Sequence, residues 1–275
     1  MLDKKKIAFL GAGAIAESII AGLLSEKLVT PDQLWITNNN NVERLQRLWD
    51  TYQVKVTHNR ESLLSSADIV ILAMKPNDFS VAMEQIQPYT NERQLFLSIV
   101  SGIPSFHISK LLGHRAAVIR ACPNTPSAIG KSATGIAAGD FASEEDVEIA
   151  TLLFGTIGYV AHIAEKDIDA VTALSGSGPA YIFYIIEAME KAGEELGLEK
   201  EVTKQLIIQT FIGSARLIES TSEEASTLYR QVMSPQGVTE AGFNVLTEYK
   251  FQEALIECIK RGTERAKELG RVYSE

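Results

Sequence analysis

Lys6-Ile7-Ala8-Phe9-Leu10 leads straight into Gly11-Ala12-Gly13-Ala14-Ile15-Ala16, after which an apolar, helix-periodic stretch runs on through Leu24. A buried strand that ends on G-x-G-x-x-A and resumes as a helix leaves few ways to fold. The first glycine permits a tight turn, the second lets a pyrophosphate approach the backbone, and the small third residue lets the helix pack closely on the strand. Helix N-terminal amides then offer an anion site. The spacing therefore predicts a dinucleotide-binding βαβ unit, against the plainer reading of a glycine-rich turn that binds nothing.

The pattern repeats downstream. Strand-like runs at 33–37, 54–56, 68–74, 94–98 and 116–120 alternate with helical stretches such as 42–51, and 133–138 and 158–163 read as the last strands. Between those two, Ser143 with Asp146 three residues on marks a capped helix. Alternation with short connections means a doubly wound, mostly parallel sheet, whose ligands bind at the carboxyl ends of the strands. Lys75, before Pro76, is placed at such an end, as are Ile99-Val100-Ser101-Gly102 and the stiff Pro123-Asn124-Thr125-Pro126 loop. The second strand ends in Asn38-Asn39-Asn40-Asn41, where an NAD site would usually carry an acid for the ribose hydroxyls. Its absence favours NADPH, with NADH as the alternative, and Arg44 is a candidate partner for the 2′-phosphate.

After about Glu165 the pattern is helical only. No charged residue occurs between Ala170 and Ile186, in a chain that is 22% charged, so this stretch reads as buried. It is too short and too interrupted, by Gly176, Gly178 and Pro179, to span a membrane. Ser175 to Gly178 read as a close-approach entrance to a helix over about 177–197. Apolar faces follow at 202–218 and 251–269, and Thr221 to Glu224 has the form of a capping box. These faces exceed what a small helical domain can bury alone, which predicts an intertwined homodimer over a self-contained core. Between them, Ser234-Pro235-Gln236-Gly237-Val238-Thr239 turns into a helix near Gly237, whose amides could hold a carboxylate while the Thr239 hydroxyl reaches a neighbouring nitrogen or oxygen.

Composition narrows the function class. A net charge of −9 and a pI near 5.1 argue against nucleic-acid or anionic-membrane partners. Cys122 and Cys258 lack metal or redox spacing, so free thiols in a reducing cytoplasm are expected. His58, His107, His114 and His162 show no metal-ligand pairing, and no metal is expected. The N-terminal Lys4-Lys5-Lys6 and its short apolar run lack a cleavage site, so no targeting segment is expected.

Assembled, FLGAGAIAES at 9–18, ILAMKP at 71–76, PNTP at 123–126, DAVTALSGSGPAYIF at 169–183 and SPQGVTEAG at 234–242 resemble the pyrroline-5-carboxylate reductase family over essentially the whole chain. The resemblance implies an α/β fold: a dinucleotide-binding Rossmann domain at 1–163, then a helical substrate-binding and dimerisation domain at 164–275, with dimers assembling into rings such as a decamer. It implies hydride transfer from NADPH to the C=N of Δ1-pyrroline-5-carboxylate, giving L-proline. Leu10, Gly11, Ala12, Gly13, Ala14 and Ile15 would embrace the pyrophosphate, and Asn38 and Asn59 would meet the adenosine. Ala73, Met74, Lys75, Pro76, Ile99, Val100 and Ser101 would line the rest of the cofactor. Glu165, Gly237, Val238 and Thr239 would meet the substrate, with Thr239 and Glu165 as the catalytic pair. Ala14, Cys122, Arg230 and Gln236 depart from the family's usual residues, which bears on cofactor preference and turnover more than on reaction type. The β-hydroxyacid dehydrogenases share the plan but need a lysine four residues after Gly178, where Ile182 stands. A cofactor-binding sensor without catalysis is the reading from outside the enzymes.

Overall fold

The computed structural model describes residues 1–271. Strands and helices alternate as β1 (Ile7–Leu10), α1 (Ala14–Ser25), β2 (Leu34–Thr37), α2 (Val42–Tyr52), β3 (Lys55–Val56), α3 (Arg60–Leu64), β4 (Ile69–Leu72), α4 (Phe79–Ile86), β5 (Leu95–Ser98), α5 (Ser105–Leu112), β6 (Ala117–Cys122), β7 (Ser132–Ala138), α6 (Glu144–Gly155) and β8 (Gly158–His162). They form an eight-stranded sheet in the order β3-β2-β1-β4-β5-β6-β7-β8, parallel throughout except for β6 against β7. Both faces are covered. Leu45 and Leu48 of α2 and Leu153 and Phe154 of α6 join α1 on one side, while Phe79 and Met83 of α4 and Ile108 and Leu112 of α5 pack on the other. Parallel strands buried on both faces read as continuous apolar runs, and β1, β4 and β5 are buried at every residue. The Ser143–Asp146 capping box forms at the start of α6 as its spacing predicts.

The helical part comprises α7 (Ile168–Val171), α8 (Gly178–Glu195), α9 (Lys200–Glu219), α10 (Ala225–Val232), α11 (Val238–Glu248) and α12 (Phe251–Arg271). The chain divides into two compact units, one of Met1–Pro179 with the chain from Lys260 onward, the other of Ala180–Ile259.

Three sequence expectations change. The small-residue entrance at Ser175–Gly178 is helical: Thr172–Gly176 forms a π-helical turn joining α7 to α8, with the Ser177 N–H donating to Thr172 O at 2.8 Å. Pro179 has no N–H, so the Ser175 carbonyl lacks its ordinary helical donor. The Asn124 side chain supplies one, at 2.9 Å. Second, the uncharged stretch is not buried within the single chain, where Ile182, Phe183 and Tyr184 are exposed. Third, Thr221 does not cap α10. Its hydroxyl accepts from Glu223 N–H at 3.2 Å, and Glu224 is the N-cap residue.

Candidate cofactor and substrate site

At the carboxyl end of β1 the chain turns on Gly11, whose φ of +124° is open only to glycine at acceptable cost and whose added Cβ would lie 2.2 Å from Ala73 O. The Gly11 N–H donates to Thr37 O at 2.9 Å, so the turn is fastened to β2 on one side and pressed on β4's exit on the other. Gly13 is the N-cap of α1. It provides no side-chain acceptor, and a Cβ there would meet nothing within 4 Å. The first-turn amides of α1 thus keep their donors beside open backbone, which fits a dinucleotide pyrophosphate.

Two cavities flank this point. A cleft of about 390 Å³ is lined by Leu10, Gly11, Ala12, Gly13, Thr37, Asn38 and Asn39, by Ala73, Met74 and Lys75, by Arg60, and by residues of α4 and the turn before it. A smaller one, about 200 Å³, is lined by Ile15, Ile99, Val100, Ser101, Arg120, Cys122 and Thr172 among others. The structure thus brings most of the expected cofactor residues to one sheet edge. Ala14, Asn59 and Pro76 line neither cavity: Ala14 opens α1, Asn59 accepts from Ser62 N–H as the cap of α3, and Pro76 begins a short 3₁₀ turn. Asn38 is also tied into its own turn, donating to Asn41 O at 2.7 Å and accepting from Asn41 N–H at 3.1 Å.

The Arg44 guanidinium, a candidate for the 2′-phosphate from sequence, is engaged by the protein itself. Its Nε donates to Ala12 O at 2.7 Å, and a terminal nitrogen donates to Gly13 O at 3.4 Å and pairs with Glu17 at 2.6 Å. Tyr52 adds a hydroxyl contact to Glu17 at 3.4 Å. The guanidinium braces the glycine loop from α2. Sequence spacing cannot reveal this, because an arginine facing a phosphate and one facing carbonyls look alike.

Glu165 begins a 3₁₀ turn after β8. Its carboxylate accepts from Ser105 N–H at 2.7 Å and from the Ser105 hydroxyl at 2.5 Å, and pairs with Arg120 at 3.2 Å. It therefore caps α5 and neutralises a buried guanidinium whose Nε has no partner among the described residues. Ser105 and Arg120 are partners of Glu165 that motif reading does not reveal. In the smaller cavity, burial pushes the Cys122 thiol up from its ordinary value, while a 3.4 Å contact with Thr172 opposes the shift, so the thiol stays protonated.

Gly237, Val238 and Thr239 lie in the other unit. Gly237 is the N-cap of α11 without a side-chain cap, Val238 is exposed and Thr239 half-buried. Gln236, where the family usually has glycine, takes φ +60°, and its N–H is held by the Glu240 carboxylate at 2.6 Å. That bond offsets part of the cost of a side chain in the left-handed region.

Residues 165–269 match the family described as pyrroline-5-carboxylate reductase dimerisation, and residues 6–102 match NADP oxidoreductase, coenzyme F420-dependent. The chain is 41% identical over 270 residues to pyrroline-5-carboxylate reductase 2 of Bacillus subtilis, covering 98% of this chain and 97% of that one. Among solved structures it superposes on a pyrroline-5-carboxylate reductase from Coxiella burnetii with a TM-score of 0.88, at 34% identity and covering 96% and 98% of the two chains. A Plasmodium falciparum pyrroline carboxylate reductase with NADP bound shares the fold at TM-score 0.88 and 24% identity, covering 98% and 100%.

Proposed function

The chain belongs to the pyrroline-5-carboxylate reductase family, and on that premise we propose how its residues share the work. The activity is the last step of proline biosynthesis: reduction of the C=N of Δ1-pyrroline-5-carboxylate to L-proline by an NAD(P)H-dependent oxidoreductase. NADPH supplies the hydride when bound. The observation that carries the division of labour is the uncapped start of α1 beside Gly13, at the sheet edge where the two cavities open.

In this reading Leu10 to Ile15 hold the pyrophosphate and Asn38 and Asn59 the adenosine side. Ala73 to Pro76 and Ile99 to Ser101 line the remainder. Amides of Gly237, Val238 and Thr239 hold the substrate carboxylate, and the Thr239 hydroxyl bonds the ring nitrogen. A protonated cyclic imine is already electrophilic, so orientation and charge complementarity carry most of the rate. Glu165, already shared between Ser105 and Arg120, contributes negative potential near the iminium and contacts the substrate from that fixed position. Residues 1–163 then serve the dinucleotide and 164–275 the substrate and dimerisation. We extend the dimer to an intertwined pair, with rings of dimers such as a decamer as the larger assembly, in a reducing cytoplasm consistent with the free thiols Cys122 and Cys258.

The test is steady-state oxidation of NADPH and NADH with pyrroline-5-carboxylate, in the wild type and in Thr239→Ala. Turnover by the wild type with a drop of about 10²-fold in kcat/KM for the variant supports the assignment. NADPH binding without consumption on adding the imine would overturn it, and a fully active variant would remove Thr239 from the chemistry.

A further inference from the structure

Two cationic side chains line the adenosine-side cleft, Arg60 and Lys75, and among the described residues neither has a hydrogen-bond or ion-pair partner for its side-chain nitrogens. Arg44, the arginine that follows the second strand, is held by two loop carbonyls and Glu17, and its side chain is only 18% exposed. A cleft for a phosphorylated ribose that has lost its nearest arginine to the backbone must take charge complementarity from elsewhere. The topology says where. In a doubly wound sheet the adenosine ribose lies at the carboxyl end of β2. β3 is β2's outer neighbour, pairing Ile36 with Val56, and Thr57 N–H continues the ladder to Ile36 O at 3.1 Å. Three residues further, at the first position of α3, stands Arg60, lining the same cleft as Thr37, Asn38 and Asn39. Lys75 leaves β4, on the far side of β1 from β2. The cleft's carboxylate, Asp78, also follows β4.

We propose that Arg60 reads the 2′-phosphate of NADPH and sets preference for it over NADH, while Arg44 is a positioning residue that braces the glycine loop for either cofactor. This deepens the NADPH-dependent reading and rests on it. A guanidinium offers a planar fork that matches phosphate with two parallel hydrogen bonds, whereas a lysine is a single point charge. The absence of an acid after β2 is then half of the selectivity: nothing there repels the phosphate, and Arg60 attracts it. Arg44 keeps the carbonyls of Ala12 and Gly13 turned back toward α2, which leaves the amide side of the loop for the pyrophosphate, a group both cofactors share.

The experiment is the ratio of kcat/KM for NADPH to that for NADH, with pyrroline-5-carboxylate, in wild type, Arg60→Ala, Arg60→Gln, Arg44→Ala and Lys75→Ala. Arg60→Gln retains a long stem, and thermal melts of each variant separate misfolding from recognition. Loss of one charge-assisted phosphate contact should lower the ratio by about tenfold or more in both Arg60 variants. A further variant, Arg60→Lys, measured in the same way, should fall between these and wild type. Arg44→Ala should raise the KM for both cofactors together, with the ratio within about twofold of wild type and kcat largely kept. An unchanged ratio in Arg60→Ala and Arg60→Gln, or a selective collapse in Arg44→Ala or Lys75→Ala instead, overturns the assignment. Wild type that turns over neither cofactor would sink the functional reading itself, an outcome distinct from a ratio that does not move.

Discussion

The sheet-bearing unit and the helical unit use apolar residues in opposite ways. Between β1 and α6 most of the large apolar side chains are inside, with Phe9, Phe79, Phe96 and Phe154 fully buried and a minority such as Val42, Phe106 and Ile129 exposed. Among residues 180–259 only Thr203 and Ile207 have buried side chains, while Leu206, Ile208, Ile212, Leu217 and Ile218 of α9 stand exposed. A helix apolar on most of its circumference calls for a cover over that surface. The first unit folds around its own core; the second is completed by another copy, in agreement with the dimerisation family that matches residues 165–269.

The most severe way to break that contrast is to charge the uncovered helix. Ile208 and Ile212 are four residues apart on α9 and so share a face. Each apolar side chain buried in a symmetric interface is worth roughly 1.5–3 kcal/mol and occurs twice. Ile208→Asp with Ile212→Asp should weaken the dimer on the order of 10⁴-fold or more, seen as a monomer by light scattering. A dimer that persists would mean the face is covered by something else.

Phe154→Ala asks the converse question of the other unit. It empties a fully buried site of α6 and should lower stability by about 3–5 kcal/mol while the oligomer stays intact. Denaturant melts beside sizing would show it. Gly11→Ala sharpens the contrast at the ligand level. The new Cβ meets Ala73 O, and NADPH affinity followed by fluorescence titration should fall by about 100-fold or more, again with the dimer kept. The smallest expected effect is electrostatic. Burial pushes the His114 imidazole below its ordinary 6.5, with Glu92 opposing weakly, so the fold favours the neutral ring. The stability this contributes is full above pH about 6.5 and is lost as pH falls through the depressed folded-state value. Melting temperature should therefore drop between pH 7 and 5, less so in His114→Phe, with His107 supplying part of the remainder since its ring is lowered in the same direction.

Much of the candidate site's backbone framework is legible because it is local. The glycine turn, the strand ends at Lys75 and Ser101, and the helix start at Gly237 each follow from a few adjacent residues. What stayed hidden depends on residues far apart in sequence. Arg44 reaches the loop across 32 residues, Asn124 satisfies the carbonyl left open by Pro179 across 51, and Ser105 holds Glu165 across 60. Arg60 and its neighbour Asn59 are not told apart by sequence, because nothing in the spacing says which of the two turns toward the cleft and which caps α3.

By itself, then, the order of amino acids determined the alternation of strand and helix, the turn that only glycine can make and the change to an all-helical second half, since hydrophobic period and backbone sterics act over a few residues. Only the tertiary structure decided which charged groups are consumed in bracing the backbone and which stay open to a ligand. Hydrogen-bond capacity is finite, and where each donor spends it is fixed by which distant carbonyl or carboxylate the fold brings within about 3 Å.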